Sequence, residues 1–303
     1  MTTTSREFDS FGPWIDEVRA ADDVPRLFRT HPVDLAGAEL VLKVPRNIAR
    51  RDATPQMDLY DHLIVVDRRQ LTVLTRSEGG YTVTELPVDR IAALHDTVNL
   101  LAGTLRVIPH QGVPVELHYN GSAAETIRRL VDVLVRGAAS GGPNRAGQAL
   151  IEAGRTAAGP MPMLDLGRED QGLLGDLRDA VRARPSLRPW VGHGRRRVRT
   201  GFTPTTLQAA VLAEDDGVLE VFTRHEWLIT GRAPVHSSGR WSVPLASVSG
   251  IGLAPDPRYA GVLHAVLRIG DAQVVLVLPE DSAAQAVIAR AAQLTGSSPY
   301  GGR

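Results

Sequence analysis

The sequence predicts an α+β protein made of two tandem small β-barrel or sandwich domains, each of about seven antiparallel strands capped by a carboxy-terminal helix. Three observations predict it. Residues 81–134 recur without a gap as residues 241–294. Val83, Val88, Ile91, Val115 and Leu134 reappear there as Val243, Val248, Ile251, Val275 and Leu294, and Tyr81 is matched by Trp241. These are positions a strand turns inward, a pattern of architecture rather than of chemistry. Second, residues 38–117 read as a succession of short strands divided by turn residues. Third, each copy closes on a Ser-Ala-Ala helix start, at Ser122 and Ser282, followed by apolar residues at helical spacing.

Residues 1–37 form an extension in which Phe8, Phe11, Trp14, Leu27 and Phe28 stand among acidic residues, with a short helix expected over 15–21 after Pro13. The first domain, 38–137, carries strands expected at 39–44, 59–66, 71–76, 81–86, 91–99, 101–108 and 113–119. Glycines make 76–81 and 109–112 read as hairpin turns, because glycine supplies the positive φ that tight turns require. Ser122 followed by Glu125 has the spacing of a capping box, and Ile127, Leu130, Val131 and Leu134 form the stripe that closes over the sheet. Residues 138–200 are a linker. Its Gly-, Ala- and Pro-rich part, up to 162, is expected to have little fixed structure, and 169–183 to form an amphipathic helix through Leu173, Leu174, Leu177 and Val181. The second domain, 201–296, has strands expected at 207–213, 217–223, 226–231, 240–245, 250–254, 261–269 and 273–278, then a helix from Ser282 through Gln285, Val287, Ile288 and Leu294. Residues 297–303 read as a frayed tail.

Composition narrows the class. With 43% hydrophobic and 22% charged residues the chain reads as soluble and globular, and no apolar run approaches the roughly 18 residues of a membrane span. The start, Met1 to Glu7, lacks a basic segment followed by an apolar one, so a cytoplasmic protein is expected. The absence of cysteine excludes disulfides, thiol catalysis and cysteine-bound metal. A net charge of zero argues against nucleic acid as a partner. The nine histidines show no metal-ligand spacing, and no catalytic or nucleotide-binding motif is present, so neither an enzyme nor a metal or other cofactor is expected.

Seven short strands and a helix, twice over, resemble the bacterial, GRAM-like form of the pleckstrin-homology-like superfold. The residues that carry the resemblance are Val66-Asp67-Arg68-Arg69-Gln70-Leu71, matched by Phe222-Thr223-Arg224-His225-Glu226-Trp227, and Leu86-Pro87-Val88-Asp89-Arg90-Ile91, from which the second copy departs at Pro244-Leu245-Ala246-Ser247-Val248. The resemblance implies binding of phosphoinositides, peptides or proteins, or a rigid platform. Fold alone does not choose among these.

Two basic stretches are the candidate sites. Lipid-binding members place cations between the first two strands, where this chain has Lys43, Arg46, Asn47, Arg50 and Arg51, able to grip a phosphate or carboxylate; the alternative is a solvated loop paired with Asp52, Asp58 and Asp61. The second copy is expected to have only Glu214-Asp215-Asp216 at that position. Arg195, Arg196, Arg197 and Arg199 form a secondary basic patch, either for an anion or as solvated linker. The leading expectation is a non-enzymatic protein-binding or scaffolding module whose partner is another protein or itself. The alternatives are peripheral binding to anionic lipid through the 43–51 loop, and an enzyme or small-ligand binder with a site between the repeats near His95, Asp96, Asp256 and Tyr259.

Overall fold

The computed structural model describes residues 6–159, 164–200, 203–231 and 236–296. The expected tail, 297–303, lies outside the described residues, as do residues 160–163 within the expected linker.

The amino-terminal segment forms α1 (Arg6–Ser10) and β1 (Asp16–Glu17). The helix expected over 15–21 is not formed. A helix of that length is marginal by itself, whereas the extended segment pairs with an open strand edge, Val18 N–H donating to Val41 O at 2.8 Å, and buries both Ile15 and Val18. The chain then runs antiparallel through β2 (Leu40–Pro45), β3 (Tyr60–Val66), β4 (Gln70–Ser77) and β5 (Gly80–Pro87), giving a five-stranded sheet β1-β2-β3-β4-β5. A second meander follows, β6 (Ile91–Asn99), β7 (Ala102–Pro109) and β8 (Val115–Asn120), and leads into α2 (Ala124–Ala138). All seven strands expected of the first copy are present. The helix start differs: Ser122 is exposed in a 3-10 turn, and the Asn120 side chain takes its backbone N–H at 3.0 Å.

Next come α3 (Arg145–Ala158) and α4 (Gln171–Ala183). The first corrects the expectation of an unstructured linker. Its small residues permit close approach, for a Cβ on Gly147 would meet the Leu245 carbonyl and one on Gly154 the Trp190 ring. What reads as flexible composition is a tightly packed helix interface.

The second copy consists of β9 (Arg188–His193), β10 (Arg196–Thr200), β11 (Thr203–Leu207), β12 (Ala210–Asp215), β13 (Val218–Thr223), β14 (Leu228–Thr230), β15 (Ser237–Pro244), β16 (Gly250–Pro255), β17 (Val262–Ile269), β18 (Ala272–Pro279) and α5 (Ala283–Leu294). Ser282 caps this last helix as expected, accepting the Gln285 N–H at 3.1 Å. The meander begins at β9, before the expected start at 201, and the expected strand at 226–231 is the three-residue β14, which joins β10 and β11 in a small separate sheet. The β2–β3 connection of the first copy therefore corresponds to the long β9–β12 connection, residues 194–209, and not to the tight turn at 214–216.

The remaining sheet joins the two copies. Its seven strands run β8-β7-β6-β15-β13-β12-β9, with β15 of the second copy antiparallel to β6 of the first, Trp241 opposite His95 and Gly239 opposite Thr97. The fourth sheet is β16-β17-β18. The fold is thus mixed α+β with mostly antiparallel sheets and no closed barrel among the described residues. The repeats share one continuous sheet rather than standing apart. One apolar core lies beneath α2, and a second lies among β13, β15, β17, α3 and α5 with Trp190 at 1% exposure.

A polar cleft between the repeats as candidate functional site

The junction carries a cleft of about 490 Å³. One wall is the face of α2 opposite its apolar stripe, where Glu125, Arg128, Arg129 and Asp132 follow at three- and four-residue spacing. The other wall is α4, and β6, β13 and β15 make the floor.

Beneath the floor, Glu220 is fully buried in the run Val218-Leu219-Glu220-Val221-Phe222. Arg240 grips it with both arms of its fork, Nε to Oε2 and Nη2 to Oε1, each at 2.6 Å. Arg184, at the end of α4, donates from Nη1 to Glu220 Oε1 at 3.0 Å and to Asp215 Oδ2 at 2.9 Å, and Ser242 Oγ donates to Glu220 Oε2 at 2.9 Å. Burial alone would raise the Glu220 carboxyl, but the two guanidiniums outweigh it and hold it below its usual range. Arg240 also reaches Asp132 of α2 at 3.4 Å. One buried carboxylate thereby ties α2, α4 and the shared sheet together.

Asp96 lines the cleft and accepts the Tyr119 hydroxyl at 2.5 Å; burial raises its carboxyl, an effect partly offset by that hydrogen bond and by Arg240. The other residues expected beside it are elsewhere. His95, next along the strand, points to the opposite face and stacks on Trp241 with ring centroids 3.9 Å apart and planes 9° from parallel. Asp256 is a local cap, accepting the N–H groups of Arg258 and Tyr259 at 2.7 and 3.0 Å and pairing with His264 at 2.7 Å. Among the described residues no group of three or more His, Asp or Glu side chains is arranged to hold a metal ion.

Burial, then the nearby Arg106 and His225, push the His95 ring down to about 3, and burial takes His193 to about 4. Both are neutral in the folded protein and charge on unfolding below about pH 6.5. Stability is therefore expected to fall as pH drops from 7 to 5, and His95→Phe, which keeps the stacked ring, to reduce that slope while His193, with His62 and His110, which burial also lowers, maintains the rest. Urea midpoints at the two pH values check this; an equal slope in both proteins would remove His95 from the account.

The basic stretches are positioned but already engaged. Lys43 is 8% exposed and lies over the Tyr60 ring at 5.2 Å. Arg46 donates to Asp58 O at 3.2 Å and approaches Asp61 at 3.9 Å. Arg50 caps the amino-terminal extension, donating to Phe8 O and, at 3.0 Å, to Phe11 O, with its guanidinium over the Phe8 ring. Asn47 and Arg51 are exposed, the latter 3.8 Å from Asp52. In the second copy Arg195 is held by the buried Asp170 at 2.8 Å, Arg196 donates to Glu280 O at 3.1 Å and Arg197 is exposed, while the Arg199 side chain lies outside the described residues. Apart from Lys43, which lies on β2, both stretches occupy the equivalent connection in their repeat, after the first strand. Neither gathers its cations around a common point.

Sequence reasoning missed Glu220, Arg240, Arg184 and Arg224. A signal for the first was available, since a lone carboxylate at the centre of an apolar strand needs a buried cation. No protein-family model, curated protein or solved structure matches this chain significantly.

Proposed function

We propose that this chain is a non-enzymatic protein-binding module of two pleckstrin-homology-like repeats, and that the partner it takes along β5 is a second copy of itself. A four-strand meander, a three-strand meander and a helix occur in that order in both copies, which supports the resemblance. The observation that carries the reading is a difference between repeat mates. Val243 is 0% exposed and pairs with Leu219 of β13, on a strand whose other side pairs with β6 as far as Ser242; Val83, its match on β5, is 42% exposed and pairs only with Leu74 of β4. Residues 82–85 are all exposed. An edge of this length is a template for strand addition.

The strand is complementary to itself. In an antiparallel pairing about a twofold axis at Val83, Val83 faces its own copy, Thr82 faces Thr84 and Tyr81 faces Glu85. Glu85 is the only charge between Gly80 and Leu86, and the two copies of it stand about 14 Å apart along the strands. By contrast the open edge of β9 carries Pro189, and that of β16 ends on Pro255 with Pro257 beyond.

The contact is small, so association is expected at concentrations on the order of micromolar or above. Light scattering over a concentration series should show the mass approaching that of a dimer, and Val83→Lys, which sets two ammonium groups opposite each other, should return it to a monomer. Mixing Val83→Lys with Val83→Glu should restore the dimer mass. A wild-type chain monomeric throughout the series, or a dimer indifferent to both substitutions, would sink the proposal.

A further inference from the structure

Arg224 follows β13 at the far end of the cleft and is 5% exposed. Its Nη1 donates to Ser237 O at 2.6 Å, and neither Nε nor Nη2 makes a hydrogen bond; Nε is sealed from solvent. Every aspartate and glutamate of the chain lies among the described residues, yet none places an oxygen within 4.0 Å of this guanidinium. Asp170, which could neutralise it, is bound to Arg195. A buried charge without a contact partner is uncommon, because desolvation is costly unless an opposite charge or hydrogen bonds replace the lost water.

The surroundings add to the positive field. The guanidinium packs closely against Gly172 in the first turn of the 13-residue α4, where an added Cβ would stand 2.7 Å from Nη2 and 3.0 Å from Nη1. A helix amino terminus carries partial positive charge and disfavours a cation. The Ser237 hydroxyl beside it is also buried without a partner. Next to this cluster is a pocket of about 260 Å³ bounded by Leu100, Gly172, Asp176, Arg224, His236 and Ser238.

We infer that this pocket binds an oxyanion, the phosphate or carboxylate group of a small molecule, through the unpaired Nη2 of Arg224. Nη2 carries N–H groups with no acceptor, and a charge-assisted hydrogen bond from it suits such a group. Asp176 at the rim opposes the anion and sets a limit on affinity. The inference stands apart from the self-association of β5, since the pocket lies at the junction of the repeats beside α4 and none of its lining belongs to β5.

The test is thermal unfolding of the full chain in inorganic phosphate, acetate and chloride at matched ionic strength. Phosphate is expected to raise the unfolding temperature in a saturable way, acetate less, and chloride not at all, as a ligand selective for the folded state must. Arg224→Gln should abolish the phosphate response. Asp176→Asn, which leaves the guanidinium in place and is read even if Arg224→Gln fails to fold, should lower the half-saturating phosphate concentration several-fold. Equal effects of phosphate and chloride on the wild-type chain, a phosphate response that survives Arg224→Gln, or an unchanged half-saturation in Asp176→Asn would each overturn it.

Discussion

Glu220→Ala is expected to lower stability by about 3–5 kcal/mol, the range for removing one partner of a buried ion pair. The cost comes from what remains. Arg240 has 13% side-chain exposure and Arg184 19%, and without Glu220 both guanidiniums stay in the interior facing an empty carboxylate position. Asp132 and Asp215 lie close enough to recover part of the loss, Asp132 being 3.4 Å from Arg240 and Asp215 2.9 Å from Arg184. Chemical denaturation at neutral pH measures the loss. A loss below about 1 kcal/mol would mean that these two aspartates suffice.

The same residue has a pH signature. Its folded carboxyl is held below the ordinary value, so its contribution is fully present above the unfolded value near pH 4.3 and is lost as pH falls through the lower folded one. The stability gap between wild type and Glu220→Gln is therefore expected to be constant from pH 7 to about pH 5 and to close under stronger acid. A gap that widened on acidification would reverse the assigned direction.

Trp190→Ala is expected to cost a further independent 3–5 kcal/mol, roughly the range for deleting a large buried aromatic. Trp190 is 1% exposed, and α3 lies against its ring at Gly154, so alanine leaves a cavity between the helix and β9. Trp190→Phe separates volume from polarity. The indole N–H is buried without an acceptor, so phenylalanine removes an unsatisfied donor while keeping most of the volume, and its loss should be about 1–2 kcal/mol. Equal losses in the two variants would place the effect in something other than the cavity. Gly154→Val, which drives a side chain into the same ring, should destabilise in the same direction.

Much of the fold was legible because local signals and the repeat agreed. The seven strands of the first copy and the helices at 124–138 and 283–294 follow from short apolar runs, glycine turns and amphipathic stripes, each satisfied within its own neighbourhood. The errors share one cause. The helix α3 was hidden because Ala and Gly at 146–154 read as flexibility until Leu245 and Trp190 supply the surface that needs small residues. The strand β1 was hidden because its hydrogen bonds go to β2, two dozen residues away. Ser122 has the right spacing for a cap, but a 3-10 turn capped by Asn120, which accepts the Ser122 N–H, precedes the helix and leaves the Ser122 side chain exposed.

The candidate site was less legible. The arginines in 43–51 and 195–199 were visible as clusters in sequence, and the structure spends most of them on carbonyls and carboxylates close by. Arg184, Glu220 and Arg240 are isolated in sequence and come together only where β15 crosses to pair with β6, while Arg224 is buried apart from them.

What the sequence by itself determined is the unit: two copies, α+β, antiparallel, each closed by a helix, because turn chemistry and hydrophobic period act over a few residues. What only the tertiary structure decided is how the units combine. β15 is flanked by β13 and β6 and carries a core-buried Val243, whereas β5 stays at a sheet edge with Val83 exposed, though the two valines stand at matched positions of the repeat. Pairing β15 with β6 also sets a buried carboxylate between two guanidiniums and strands a third. Strand edges and buried charges are settled by partners distant in sequence, and no local pattern encodes which partner arrives.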